Sequence, residues 1–166
     1  MRVKVETKVD ELSKMTKIID KIKSHKVVVG ALAGDNAWLA GIHEYGCNII
    51  VTPKMRAYLH KVGLHLKDST TVIKIPERSF LRNGHDENAD RVIEQTERAI
   101  GQVLIGAMEV DDLIELYGQQ MSTAIKTYMR NLSRPANHSF TVNQKGSSNP
   151  LIDTGGLVES ITYKKE

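Results

Sequence analysis

Apolar residues recur with helical spacing in several stretches of the chain, and each stretch predicts an amphipathic helix. The longest stripes lie in the second half, where two long helices are expected to be joined by a bend at residues 106–109. A short helix ahead of them should end at Gly46, because glycine readily terminates a helix. In chain order, the predicted helices cover residues 10–24, 37–45, 89–104 and 110–132.

Short β-branched or alternating runs lie between these helices and predict strands. The run at residues 26–32 is almost continuously apolar, which is typical of a central strand. The predicted strands cover residues 2–7, 26–32, 49–52, 71–75 and 157–165.

Two segments fit neither period well. Residues 47–74 are predicted to be a protruding insertion, in which residues 54–66 form either a helix weakened by Gly63 or a basic loop or hairpin. Residues 133–150 are rich in Ser, Asn, Lys and Gly and predict a long surface loop, with a short extended piece at residues 139–142.

The octet at residues 75–82, IPERSFLR, separates the strand-rich half from the helical half. Pro76 favours an extended conformation for the residue before it, so a strand should end there. Ser79 is a candidate helix N-cap, and Phe80 is expected to dock in the core between sheet and helices. A break or loosened first turn is expected at residues 83–86.

These elements predict an α+β fold in one domain over residues 1–166. Its small mixed or antiparallel β-sheet packs against two long α-helices and a short N-terminal helix, with an extended loop before the C-terminal strand. The chain is 40% hydrophobic and 26% charged, an ordinary globular balance. It lacks the roughly 18–20 apolar residues that span a bilayer, and the first residues lack the apolar block of a signal peptide. Cys47 is the single cysteine, which excludes an internal disulfide and suits a reducing compartment.

The net charge of +3 is modest, but its distribution is uneven. Residues 1–26, residues 54–82 and the tail from Lys126 are basic, whereas residues 86–115 hold nine acids against two arginines. An acidic face of one copy can therefore meet a basic face of the next, which predicts salt-sensitive head-to-tail association. Solvated faces of different sign are the simpler interpretation of the charge alone.

Chemical motifs give little sign of catalysis. His43 and Glu44 resemble half of a zinc-protease motif, but Cys47 stands where its second histidine is required. We therefore expect no catalytic, cofactor-binding or metal-binding residue, and no cofactor. Lys74, Arg78 and Arg82 are able to contact phosphate, yet Phe80 is the only aromatic residue near them for stacking on bases, so sequence-specific nucleic-acid recognition is not expected.

Four landmarks, taken in order, resemble a known family. They are WLAGIHEYG at residues 38–46, IPERSFLR at residues 75–82, a long helical middle, and PLIDTGGL at residues 150–157 followed by SITY. Together they are similar to the virion-morphogenesis or tail-completion proteins of tailed bacteriophages, which join head to tail at the neck. The resemblance covers the chain from about residue 26. It departs at Ser79, where the family often has proline, and in the length of residues 47–74.

The resemblance implies a structural subunit of the virion, made in the cytoplasm of the host bacterium, and no membrane partner. It implies a homo-oligomer, expected to be a ring of six, between head-completion or connector proteins and the tail tube or tail terminator. DNA would pass through its lumen without sequence-specific binding. The implied interface or structural residues are His43, Glu44, Tyr45, Gly46, Pro76, Arg78, Phe80, Arg82, Asp153, Thr154, Gly155 and Leu157.

Arg78 and Arg82 lie four residues apart and are expected to be surface contacts. A carboxylate of a neighbouring subunit is favoured as their partner over a DNA phosphate. Three alternatives stay open: a tail terminator capping the tail tube, a nucleic-acid-binding protein, and a hydrolase that uses His43 and Glu44.

Overall fold

The computed structural model describes the backbone of residues 6–166 and the side chains from Glu11 onward. Helices and strands alternate in the first half of the chain, and helices dominate the second half. The elements are α1 (Glu6–Ser24), β1 (Val27–Ala31), α2 (Gly34–Tyr45), β2 (Cys47–Ile50), α3 (Pro53–Lys61), β3 (Val72–Ile75), α4 (Phe80–Asp86), α5 (Ala89–Leu104), α6 (Val110–Asn131), α7 (Ser139–Lys145), α8 (Gly156–Glu159) and β4 (Ile161–Lys165).

The strands form two antiparallel pairs. Strands β1 and β4 run from the Val27–Lys165 pair to the Ala31–Ile161 pair. Strands β2 and β3 run from the Cys47–Ile75 pair to the Ile50–Val72 pair. The predicted α+β class, with a small antiparallel sheet component and two long helices, is confirmed. Within residues 6–166, β1 has β4 as its one neighbour, so the structure does not bear out the prediction of a central strand.

Helix α6 is the centre of the core. Its 22 residues extend over about 33 Å, and one face packs on α4, α5 and the β1–β4 pair. Gly118 lets β4 approach closely, because a Cβ there would lie 2.3 Å from the ring of Tyr163. The most deeply buried large side chains include Phe80, Met121 and Met129, which share one cluster. The prediction that Phe80 docks in the core is confirmed.

A second, smaller cluster joins α1 to the adjacent ends of α5 and α6. Ile18 and Ile22 of α1 pack against Val103 and Leu113. The other half of the predicted α1 stripe, which includes Leu12, is exposed to solvent. The helical period therefore placed the apolar face correctly but overstated how much of it is buried.

Four predictions of local structure are corrected. Residues 2–5 of the expected first strand lie outside the described residues, and Glu6 and Thr7 begin α1 instead. The break expected at residues 83–86 is part of α4 and falls instead at Glu87 and Asn88. The loop at residues 133–150 contains helix α7 rather than an extended piece, with His138 Nδ1 accepting from Phe140 N–H. Residues 157–159 belong to α8, so the last strand begins later than predicted.

Residues 47–75, which we call the arm, contain β2, α3 and β3. Pro53 starts α3, and the hydroxyl of Thr52 caps it by accepting from Met55 N–H at 3.2 Å. Every residue of α3 is at least partly exposed, and both core clusters are built from residues outside the arm. Of the alternatives for residues 54–66, the helix is confirmed, because α3 covers Pro53–Lys61. The predicted single domain stays a prediction.

Candidate functional site

The end of α2 and the start of α4 cap each other, and we call the region around this contact the motif junction. A helix leaves carbonyl groups without partners at its C-terminus and N–H groups without partners at its N-terminus. The carboxylate of Glu44, near the end of α2, accepts from the N–H groups of Leu81 and Arg82 at 2.8 and 3.1 Å. In return, Arg82 Nη2 donates to the carbonyl of Glu44, and Arg78 N–H donates to the carbonyl of His43. Two N–H groups at the start of α4 and two carbonyl groups at the end of α2 thereby gain hydrogen-bond partners at one contact.

Glu44 is almost completely buried, with 2% of its surface exposed. It faces the positive end of the α4 helix dipole, and Arg82 Nε donates to it at 2.9 Å. This bond raises the pKa of the Arg82 guanidinium, with Glu77 adding to the effect. The predicted structural residue Glu44 is therefore an internal cap whose oxygens are used within the chain.

Gly46 lets the chain turn sharply after α2. Its φ of 69° and ψ of 168° lie in a region that essentially only glycine occupies. A Cβ at this position would also lie 2.8 Å from Glu77 N and from Ile75 O. The backbone around Pro76 therefore passes directly against the end of α2, which fixes the base of the arm on the motif junction.

The outer side of Arg82 is held by its own chain. Its Nη2 donates to Glu77 Oε1 at 2.6 Å and to Ser79 Oγ at 3.0 Å. The hydroxyl of Ser79 and then Arg82 lower the pKa of Glu77 by hydrogen bonding to its carboxylate. The guanidinium also lies over the exposed ring of Tyr45, 5.1 Å from its centroid. The expected carboxylate partner of Arg82 is thus supplied by Glu44 and Glu77 of the same chain.

Ser79 occupies the N-cap position of α4, but its side chain does not cap the helix. Its φ of −53° and ψ of 60°, with Phe80 N–H donating to the Arg78 carbonyl, form an inverse γ-turn. The capping role predicted for Ser79 is performed by Glu44 instead.

Arg78 is buried, with 4% of its surface exposed, so the prediction of a surface contact is wrong. Its Nε donates to Pro135 O and its Nη2 donates to Asn137 Oδ1, both at 2.9 Å. Burial lowers the pKa of its guanidinium. Arg78 therefore attaches the segment after α6 to the motif junction through neutral acceptors.

His43 lies beside Arg78, with its Nδ1 3.4 Å from Arg78 Nη1. Since the guanidinium can only donate, Nδ1 accepts, and the neutral ring carries its proton on Nε2. Burial, together with the charges of Arg78 and Lys145, lowers the pKa of His43 to about 4. A histidine of such low basicity is neutral at pH 7 and is a poor general base.

A cleft of about 300 Å³ brings the first and last motifs together. His43 and Leu39 of α2 line one side, and Lys145 of α7 with residues 150–157 lines the other. Of the predicted residues here, Leu157 is buried, Gly155 has a φ of 89° at the start of α8, and Asp153 and Thr154 are exposed at the rim. Residues that are more than 100 positions apart in sequence thus share one site.

Lys145 and Asn149 organise this cleft, and neither is among the residues predicted from the sequence. Lys145 Nζ donates to the carbonyls of Asn149, Pro150 and Ile152 at 2.6, 3.4 and 2.7 Å. Burial lowers the pKa of Lys145, while the charge of Asp153 opposes that shift. Asn149 accepts from the N–H groups of Leu151 and Ile152 and donates to the last turn of α6. The sequence does contain a signal for Asn149: the Asn-Pro dipeptide at residues 149–150 is typical of a turn and could have indicated that Asn149 organises one.

Among the described residues, no group of three or more His, Cys, Asp or Glu side chains is placed to hold a metal ion. None of the helices described is both long and apolar enough to cross a bilayer. The expectation that the chain has no catalytic, cofactor or metal site stays a prediction.

Comparison of the chain with protein-family models, with curated proteins and with solved structures found no match. The resemblance to the head–tail joining proteins of tailed phages therefore rests on the ordered sequence motifs alone. In the structure, these motif residues lie together at the motif junction and its adjoining cleft. There the arm, α4 and the last part of the chain all contact α2.

Proposed function

We propose that this protein is a structural component of the head–tail junction of a tailed bacteriophage. Copies of it would form a ring, expected to contain six subunits, around the channel through which DNA passes. One side of the ring would contact the connector or head-completion proteins, and the other the tail tube or tail terminator. The protein would act by holding its neighbours in place rather than by catalysing a reaction.

The observation that carries this proposal is the convergence of the motifs. His43 and Glu44 from the first motif contact Arg78 and Arg82 from the second. The same helix α2 lines the cleft formed by the last motif, at residues 150–157. Motif residues that are distant in sequence but assemble into one joint are those that a shared fold requires. The convergence therefore supports the family relationship that the motifs suggest.

The chemistry of the junction favours a structural role over a hydrolase. Both oxygens of the buried Glu44 carboxylate accept hydrogen bonds from the chain itself, which is the arrangement of an internal cap. His43, with its pKa lowered to about 4, is held as an acceptor for Arg78. These two residues were the candidates for general acid–base work, and their contacts support packing and capping instead.

The same contacts bear on nucleic-acid binding. A protein that grips DNA needs several accessible cations on one surface. Of the three cations suggested for this role, Arg78 is buried and Arg82 is engaged by Glu44 and Glu77, which leaves Lys74 on the arm. This arrangement supports DNA passing through the ring without tight or sequence-specific contacts.

Exposed apolar side chains support self-association or binding of other virion proteins. Trp38 and Tyr45 lie two turns apart on α2 and are both about 70% exposed, at 72% and 70%. Ile50 and Tyr58 are exposed on the arm. Exposed aromatic and aliphatic side chains in groups are typical of interaction surfaces.

Electron microscopy of the purified protein tests the ring. We expect annular particles with a central opening, and class averages should count the subunits. A protein that is monomeric from low micromolar to millimolar concentration would overturn the ring.

The place in the virion needs a second experiment. An early stop codon introduced into the gene in its own phage should leave filled heads and separate tails, and supply of the intact protein should restore joining. Antibody labelling at the neck supports the proposed position, whereas labelling at the end of the tail tube supports a tail terminator. Joined, infectious virions without the protein would overturn both.

A further inference from the structure

The exposed surface of the arm is apolar at its centre and cationic around it. Ile50 and Val72 are cross-strand partners, so their side chains share one face of the β2–β3 pair, and Ile50 is 74% exposed. Lys74 lies two residues from Val72 and shares that face. Over residues 47–75 the chain carries five Lys or Arg residues and one acid, Asp68. A partner for this surface must offer apolar contact with acidic groups near it.

Outside the arm, three of the described helices carry exposed large apolar side chains, and their charges differ. Helix α1, on which Leu12 is exposed, carries five lysines and four acids, so its net charge does not attract the cationic arm. On α2, the Arg82 guanidinium already lies over the exposed ring of Tyr45, so this ring does not offer its face to a cation of the arm. The surface of α5 is acidic. Charge therefore selects α5 from among the three.

On α5, Ile93 is exposed between two acids on the same helix face. Asp90 lies three residues before it and Glu97 four residues after it, the spacings at which helical side chains are neighbours. Farther along, Leu104 is exposed and Ile105, just past the helix end, is 75% exposed. This surface has the complementary pattern, an apolar strip flanked by carboxylates.

We infer that the arm of one copy docks on the α5 surface of the next copy. Both surfaces are exposed within a single chain, so neither covers the other there. Because the two surfaces differ, the contact is head-to-tail and repeats from copy to copy, which closes into a ring when the rotation per subunit allows it. The inference rests on the self-association in the proposed function and names the surfaces that would carry it.

Apolar contact at Ile50, Val72 and Ile93 supplies affinity in this arrangement, while the charges select the partner and its orientation. Exposed ion pairs are screened by salt, with a Debye length of about 8 Å at physiological ionic strength. Association should therefore weaken as salt is raised, but a residual apolar contribution should persist.

Two charge-reversed variants test the inference. K54E/K74E removes the net positive charge of the arm and puts a carboxylate beside Val72 on its exposed face, and D90K/E97K makes the α5 surface basic. In each variant alone, the reversed side chains of one surface meet unmodified side chains of the same sign on the other, so its association should weaken by about tenfold or more. Circular dichroism checks that each variant is folded, and K54Q/K74Q and D90N/E97Q replace any variant that is not.

Mixing the two variants gives the sharper result. In an equimolar mixture, reversed arm positions meet reversed α5 positions and unmodified arms meet unmodified α5 surfaces, so opposite charges pair again and alternating assemblies should form to within about threefold of the original affinity. The control K17E/K23E changes the net charge by the same amount as K54E/K74E, but on α1. It should associate as the unmodified protein does. Sedimentation velocity at low and high salt measures the unmodified protein, the two variants, their mixture and the control.

The outcomes separate the inference from the proposed function. Unmodified protein that assembles, with variants that assemble equally well, overturns the arm–α5 contact and leaves the virion role standing. Variants that weaken alone and recover when mixed support the contact, and virions that join normally without the protein would then overturn the role alone. A monomeric unmodified protein overturns the contact and the ring together.

Discussion

The motif junction and the arm use similar residues in opposite ways. In each region a cation ties down a loop by donating to three carbonyls: Lys145 holds Asn149, Pro150 and Ile152, and Arg56 of the arm holds Leu66, Lys67 and Thr70. In the motif junction, however, Glu44 and Arg78 are buried. In the arm, Ile50, Tyr58 and Lys74 are exposed to solvent. The junction therefore contributes stability, and the arm offers surface for binding.

The largest effect is expected from removing the buried carboxylate of the junction. Glu44→Ala leaves two buried N–H groups and Arg82 without their acceptor, which should cost about 3–5 kcal/mol of unfolding free energy. Urea unfolding measures this as a lower midpoint with an unchanged slope. Glu77→Gln is the control, because it loses an exposed partner of the same arginine and should shift the midpoint much less. Equal shifts for the two variants would show that burial does not set the contribution of Glu44.

Glycines in the two regions give a direct comparison at matched chemistry. Gly46→Ala should cost about 2–4 kcal/mol, since it combines a positive φ with a Cβ that meets backbone atoms at 2.8 Å. Gly63→Ala in the arm also places alanine at a positive φ, 94°, but the added Cβ has open space, so about 1 kcal/mol is expected. Thermal or urea unfolding of both variants measures the difference. A Gly63 variant that is as unstable as the Gly46 variant would contradict the role of close packing at the junction.

The pH dependence of stability should come from the junction rather than from the arm. The pKa of His43 is lowered from 6.5 to about 4 in the folded protein, so the unfolded chain takes up the proton first as pH falls. Its contribution is fully present above pH 6.5, is lost progressively between pH 6.5 and 4, and stays constant below that. Because part of the ring reaches solvent, we expect a loss of about 1–2 kcal/mol rather than the full value of the shift. Urea unfolding at pH 7 and pH 5 measures how much unfolding free energy is lost between the two pH values. This loss should be smaller for His43→Asn than for the unmodified protein, and an equal loss would exclude His43 as its source.

Local signals predicted much of the fold and little of the junction. Helices α5 and α6, the end of α2 at Gly46 and the end of β3 before Pro76 follow from periodicity and from the backbone preferences of glycine and proline. The capping of α4 by Glu44 was not predicted. Glu44 accepts from Leu81 N–H, 37 residues later in the chain, and no local sequence pattern indicates that two such distant residues are in contact. Arg78 was expected at the surface because it lies four residues before Arg82, but Pro135 and Asn137 supply acceptors that only the folded chain brings near. Helix α7 was missed because Phe140 and Val142 favour strands, although His138 and Gly146 cap a helix on either side.

The smallest effect on stability is expected from the exposed face of the arm, where neighbouring positions on one strand separate folding from association. Ile50 lies on the exposed face of β2 with Val72, whereas Ile49 lies on the other, half-buried face with Ile73. Ile50→Thr should change the unfolding free energy by less than about 0.5 kcal/mol, because little of this side chain is removed from water on folding. It should nevertheless weaken self-association by about tenfold if Ile50 is an anchor of the interface.

Ile49→Thr, the same substitution one position earlier, should lower stability by about 1 kcal/mol or more through lost burial. Urea unfolding and sedimentation velocity on the two variants distinguish these effects. An Ile50 variant that associates normally would remove the arm's exposed face from the interface, whereas one that loses stability as the Ile49 variant does would show that this face belongs to the folded core.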